Sequence, residues 1–385
     1  MIIYYIAAIY PSKYRKYIKN NGVVPAYKFN KLFAEGFQNV PNVQVKCIVP
    51  QVITAQLNKQ GIRPEYEEEN NIQYIFFNDC DNGYVEFIKH ALKSLSDERK
   101  ENKLILVCDV LSFSSSMLCY LAKFLYKIET VGIVTDIPQY MVGTVRGIKT
   151  KVIDKCNNFF MRRFDKYVFL TEAMNEFLNK KNKPYCVMEG ICDENESQRV
   201  NELENKYSKK VCMYAGSLHK EYGIALLIDA FLKANPEESE LHIYGNGNYV
   251  DKVKEFADSH DNIVYAGVVT GDVVVERECK ATLLVNPRTT EGAYTKYSFP
   301  SKTLEYLASG TPVLMTKLPG MPEEYCDYVF LFEEESVDGY ADKLKEILAK
   351  SKEELHRDGL KGKQFVLEKK NNIYQAMKVF KQLNL

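Results

Sequence analysis

Residues 298–314 read SFPSKTLEYLASGTPVL, which sets a lysine and a glutamate three residues apart just ahead of an apolar run. Pro300 suits the first turn of a helix, because its missing amide hydrogen would be unpaired there in any case. Ser298 or Ser301 can cap the free amides, and Gly310 followed by Pro312 marks the stop. Within that helix Leu304, Leu307 and Ala308 form the core stripe, while Lys302, Glu305, Tyr306 and Ser309 share a second face. Free amides, the positive end of the helix dipole and Lys302 together make an anion site, for which phosphate is the usual ligand. Glu305, one turn further in, suits the hydroxyls of a ribose. The same two residues also describe an ordinary solvent-facing ion pair. The elements that position them must decide.

Apolar strand-like runs alternate with helical patterns almost from end to end. The first half offers IIYYIAAIY, VQVKCIVPQ, IQYIFFND, LILVCDVL, TVGIVTD, YVFLT and YCVMEG. The second offers KVCMYAGS, ELHIYGN, NIVYAGVV, ATLLVNPR, TPVLMTK and YVFLF. Such near-continuous apolar strands, separated by helices, imply parallel sheets covered on both faces. Thirteen are too many for one ordinary doubly wound sheet, and the polar stretch 193–210 is the natural joint between two. Charged runs such as EYEEEN and SDERKENK read as solvated faces and loops. Two doubly wound domains put a ligand cleft between them, at the carboxyl ends of the strands. The Lys302 helix starts at that edge of the second domain.

The 385 residues suffice for two such domains, each with its own core. Fifty-one basic residues balance 51 acidic ones, so nothing global points to nucleic acid. The ten cysteines are scattered, several inside apolar strands, with no Cys-x-x-Cys pair and no cluster with histidine. They read as small buried hydrophobes in a reducing compartment, the cytoplasm, and no stretch is long enough to span a bilayer. No G-x-G-x-x-G follows the first strand, which argues against a nicotinamide reductase. Between 141 and 170 seven basic residues, from Arg146 to Lys166, stand against Asp154 and Asp165 and flank Val152, Ile153, Phe159, Phe160 and Phe164. That pattern fits either a face lying on a membrane at the inner surface or a core-packed helix with a wet basic side.

From about residue 210 to 335 the chain resembles the retaining, nucleotide-sugar-dependent glycosyltransferases of family 4. The match runs in order through YAGSLHKEYGIALLIDAF, LHIYGNGNYVDKVKE, NIVYAGVV, LLVNPR and SFPSKTLEYLASGTPVL with LPGMPEEY. The first domain matches loosely, through YVFLTEAMNEFL and VMEGICD. The resemblance implies the GT-B fold, two Rossmann-like α/β domains facing each other across a cleft. Domain boundaries follow at 1–195 and 196–365, with a closing helix in 366–385 that returns to the first domain. It implies a nucleoside-diphosphate sugar as co-substrate, no further cofactor and no metal; no acidic cluster suited to a divalent ion stands beside the phosphate groups. It further implies a saccharide or lipid-linked saccharide acceptor, as in surface polysaccharide synthesis, with the leaving phosphate assisting deprotonation of the incoming hydroxyl.

By the same resemblance, Gly245, Asn246 and Gly247 lie near base and ribose, the backbone around Val268 holds the base, and Glu305 holds the ribose. Gly216 and Ser217 open the loop that carries the family's basic phosphate-binding pair, and both basic positions are lost here. The family's first glutamate is replaced by Tyr297. Arg288 and Lys302, with Ser301 at the helix start, are the substitutes available to a diphosphate leaving group. In the first domain, Gly22 is a candidate for the donor phosphates. Asp136 stands beyond a strand end where it can orient the acceptor hydroxyl, with Thr135 where relatives have histidine. Two other readings stay open: a nucleotide-sugar epimerase of the same fold, and a catalytically silent partner subunit of a transferase.

Overall fold

The computed structural model describes residues 1–18, 23–80, 83–140 and 148–385. Gly22 and Arg146 lie outside the described residues, as do the side chains of Lys149, Lys151, Val152, Ile153 and Asp154. The chain divides into two compact units, one of Met1–Ile191, Lys296–Ser298 and Asn372–Leu385, the other of Cys192–Thr295 and Phe299–Asn371.

The first unit is built on eight strands: β1 (Ile2–Ile6), β2 (Gln44–Ile48), β3 (Tyr66–Glu69), β4 (Ile72–Ile75), β5 (Leu104–Asp109), β6 (Glu129–Val134), β7 (Lys166–Phe169) and β8 (Tyr185–Val187). Their order is β3-β4-β2-β1-β5-β6-β7-β8, parallel except for the β3–β4 hairpin. β1 and β5 are buried along their whole length, which is why they read as unbroken apolar runs. Alternate residues serve the two faces: Tyr5 and Val107 enter one core layer, Tyr4 and Leu106 the other. The closing helix Asn372–Gln382 packs on helix Val23–Gln38, so tightly that a Cβ at Gly36 would stand 2.2 Å from the Asn372 carbonyl oxygen.

Strand β3 corrects the reading of EYEEEN as a solvated loop. Asn70 and Asn71 take φ of 52° and 60°, the left-handed pair a two-residue hairpin needs, and fold the acidic run back on β4. Its glutamates then hold the first loop. Glu67 accepts from Lys13 Nζ and Tyr14 Oη, each at 2.6 Å, and Glu69 from Lys31 Nζ at 3.1 Å.

The second unit carries β9 (Lys210–Ala215), β10 (Ser239–Tyr244), β11 (Ile263–Gly267), β12 (Leu283–Asn286), β13 (Val313–Thr316) and β14 (Phe330–Phe332), all parallel in the order β11-β10-β9-β12-β13-β14. The chain winds outward from β9 to β11, then returns to the far side of β9 with β12. The topological switch therefore lies between β9 and β12, and open α/β sheets bind their ligands beyond the carboxyl ends of the strands at such a point. The nine described cysteines are free thiols.

Candidate functional site

Two loops close the carboxyl ends of β9 and β10, and they are stitched to each other. Gly216 N donates to Tyr244 O at 3.0 Å, Leu218 N to Asn246 O at 2.9 Å, and Tyr249 N to Leu218 O at 2.9 Å. Gly245, at φ 131°, has no room for a side chain: a Cβ would sit 1.8 Å from Gly216 O. A Cβ on Gly247 would stand 2.3 Å from Leu218 O. These glycines are demanded by backbone-to-backbone approach within the protein. Ser217 and Asn246 remain exposed on the paired loops; Ser217 O accepts from Tyr214 Oη at 2.9 Å, and Asn246 Oδ1 from Gly247 N at 2.9 Å. Beyond β11, Val268 is 71% exposed.

The helix foreseen in the opening segment spans Ser301–Ser309, ends at Gly310 with φ 77°, and follows β12 so that its start lies at the same sheet edge. Its N-cap is Pro300 with no side-chain cap, so neither Ser298 nor Ser301 plays that part; Ser301 is the exposed first helical residue. Two members of the supposed second face are core. Tyr306 is fully buried, its hydroxyl accepting from Ala215 N at 2.8 Å and donating to Ala215 O at 3.1 Å, and Ser309 Oγ turns back to Tyr306 O. A phenol can satisfy the two backbone groups at the end of β9, and that polar demand draws it inward.

Lys302 and Glu305 stay half-exposed and pair at 2.7 Å. Burial works to lower the Lys302 ammonium, but the Glu305 carboxylate beside it and the more distant Glu278 hold it above the ordinary lysine value. Glu278, buried in helix Gly271–Lys280, escaped sequence reasoning because nothing in DVVVERECK separates it from surface acids.

Arg288 ends the segment after β12. Its guanidinium carbon lies 4.3 Å from the ring centre of Tyr222 and 5.9 Å from that of Tyr294. Gly223 permits this: at φ 77° its missing Cβ leaves space for Pro287 O, which would be 2.0 Å away, and so brings Tyr222 against the β12 loop. The aromatic faces orient the cation. Both tyrosines were passed over in the sequence because loop tyrosines carry no spacing signal.

In the first unit, Asp136 follows β6 and lies beside the end of β5, where Asp109 pairs in register with Ile133. Asp109 is buried and accepts from Leu111 N at 3.0 Å and Asn30 Nδ2 at 3.4 Å; Asn30 in turn accepts from Tyr5 Oη at 2.9 Å. Burial raises the Asp109 carboxyl despite those donors. Burial, and then the Asp109 charge, push Asp136 up to about 6. Tyr297 stacks on Tyr140 at 4.5 Å with Phe177 edge-on at 5.9 Å. Among the described residues no group of three His, Cys, Asp or Glu side chains is placed to hold a metal ion.

Residues 209–350 match the family of glycosyl transferases group 1. No curated protein sequence matches the chain. Among solved structures, a sucrose-phosphate synthase from Thermosynechococcus elongatus aligns at TM-score 0.67 and 12% identity, over 100% of this chain and 98% of its own. HepE from Anabaena, solved in complex with UDP, aligns at 0.63 and 12% identity over 100% of both chains. The lipopolysaccharide outer core galactosyltransferase WaaB aligns at 0.60 and 13% identity, over 100% and 99%. The fold of two Rossmann-like α/β units is thus the one these solved structures share. With a glycosyl transferases group 1 domain at residues 209–350 on that fold, the chain is a glycosyltransferase.

Proposed function

We propose that the protein moves a sugar, with retention of anomeric configuration, from a nucleoside-diphosphate sugar to a saccharide or lipid-linked saccharide of a surface polysaccharide. The observation that carries this reading is the sheet edge of the second unit: a helix start bearing the Lys302–Glu305 pair and a tyrosine-framed Arg288 follow the strand at the topological switch. In this reading Lys302 and Arg288 take the diphosphate and bear its growing charge as the bond to the sugar breaks. The Ser301 end of the helix adds its amides. Glu305 holds the ribose hydroxyls, the backbone at Val268 meets the base, and the loops of Gly216, Ser217, Gly245, Asn246 and Gly247 form the wall. Asp136 orients the acceptor hydroxyl, and the leaving phosphate receives its proton.

Uridine nucleotides are the first donors to test, since HepE has been solved with UDP and with UDP-glucose, and TarM from S. aureus with UDP. Thermal unfolding in the presence of UDP, GDP, ADP and their sugars should show one nucleotide raising the midpoint. The product of the preferred donor, examined by NMR, should keep the donor's anomeric configuration. A protein whose midpoint no nucleotide moves does not work by this route.

A further inference from the structure

Helix Phe113–Tyr126 is apolar on more sides than its own unit can bury. Leu118, Cys119 and Ala122 fill the core of the first unit. On the outside, however, Phe113 is 44% exposed, Phe124 66% and Leu125 53%. Beside it lies helix Ile148–Met161, whose Phe159 is 44% exposed. The two helices share one aromatic sheet: Phe160 meets Phe113 at 5.3 Å and Tyr120 at 5.6 Å, and Tyr120 reaches Phe159 at 6.1 Å. Phe164, counted with this face in the sequence, is instead core.

The charge on this surface has one dominant sign. Among the described side chains, residues 113–127 hold Lys123 and Lys127, and residues 155–163 hold Lys155, Arg162 and Arg163, with no acidic residue in either stretch, in a chain whose net charge is zero. The cations attend the exposed rings: the Arg163 guanidinium carbon stands 3.2 Å from the Phe159 ring centre, and Lys127 Nζ 5.8 Å from that of Phe124. Arg162 and Lys155 are exposed nearby. Two acids near the rim are already paired, Asp165 with Lys123 at 2.5 Å and Glu129 with Lys166 at 2.7 Å.

We infer that this face seats the protein on an anionic lipid surface, with Phe113, Phe124, Leu125 and Phe159 entering the headgroup–acyl boundary. Exposed rings and leucine ringed by cations are what such a boundary accepts, since it offers apolar depth and negative charge together. A second copy is a poor occupant, because a symmetric contact would oppose two faces of the same positive sign. The inference is independent of the donor site and stands on a different unit.

Flotation with vesicles of phosphatidylcholine, with and without phosphatidylglycerol, tests it on the full chain. The wild type should float with the anionic vesicles and less so at high salt. Lys127→Glu, Lys155→Glu and Arg162→Glu combined should lower partitioning about a hundredfold or more, since each cation near such a surface is worth about fivefold. Phe124→Ser with Leu125→Ser should lower it at every salt concentration. Thermal midpoints should stay put, because these side chains are exposed. Failure of the wild type to float, or flotation of both variants at the wild-type level, overturns the proposal. So does a wild-type dimer that Phe124→Ser with Leu125→Ser dissolves in the absence of lipid.

Discussion

The hydroxyl of Tyr306 engages both backbone groups of Ala215, accepting at 2.8 Å and donating at 3.1 Å. One phenol therefore fixes the Ser301–Ser309 helix to the last residue of β9, directly before Gly216. Through that link the helix start and the paired loops hold a common position. Tyr306→Phe keeps the ring and orphans a buried amide, so it should cost about 1–3 kcal/mol. Denaturant midpoints measure that cost, and nucleotide titration should show weaker binding as the loop loosens. A variant with unchanged midpoint and affinity would show the hydroxyl to be idle.

Lys302 and Glu305 should separate in kinetics. Lys302→Ala is expected to lower turnover by a factor of about a hundred or more while donor affinity changes less, because the charge matters most as the diphosphate departs. Glu305→Ala should chiefly weaken donor binding, since a ribose contact is made before and during the reaction. Either change should move stability by less than about 1 kcal/mol, as befits a half-exposed pair. Steady-state kinetics with direct donor titration gives both halves; wild-type turnover in Lys302→Ala would reduce Lys302 to a surface partner of Glu305.

The glycines offer a contrast in mechanism. Gly245→Ala meets a carbonyl oxygen at 1.8 Å and should cost at least about 3 kcal/mol. Gly267→Ala has a similar left-handed requirement, φ 72°, but faces open space, so only the backbone strain of about 1 kcal/mol applies. Equal losses in chemical denaturation would contradict the interlocked-loop geometry.

Asp136 should trade stability for activity. Its folded-state value, about 6, lies above the ordinary carboxylate value, so the folded protein binds the extra proton. Its charge therefore opposes folding above that value, and the penalty fades as pH falls toward the unfolded value. Asp136→Asn should accordingly stabilise near neutral pH, lose that advantage near about pH 4, and impair transfer. Denaturation at both pH values with one activity assay decides it. A variant less stable than wild type at neutral pH would reverse the sign.

Much of this was legible because burial on both faces writes strands as apolar runs; all thirteen such runs are strands. β3 was illegible for the opposite reason: it is one tyrosine followed by three glutamates, and only the Asn70–Asn71 turn makes it a strand. Tyr306 was misplaced because helical spacing groups residues by angle and takes no account of a backbone amide waiting for a partner. The outer face of helix Phe113–Tyr126 escaped notice because phenylalanine in a helix ordinarily reads as core. Asp109 drew no notice in the sequence, because its line to Asn30 and Tyr5 runs through residues far apart in the chain.

The interlocking of Gly216–Leu218 with Gly245–Gly247 also restricts how this protein can be redesigned. Neither loop is a separate module: a transplant of one from a relative brings side chains or carbonyls into space the other already fills. Chimeras that replace either loop will have to exchange the two as a single cassette. Libraries that randomise one loop while holding the other fixed will recover mostly unfolded protein at the glycine positions.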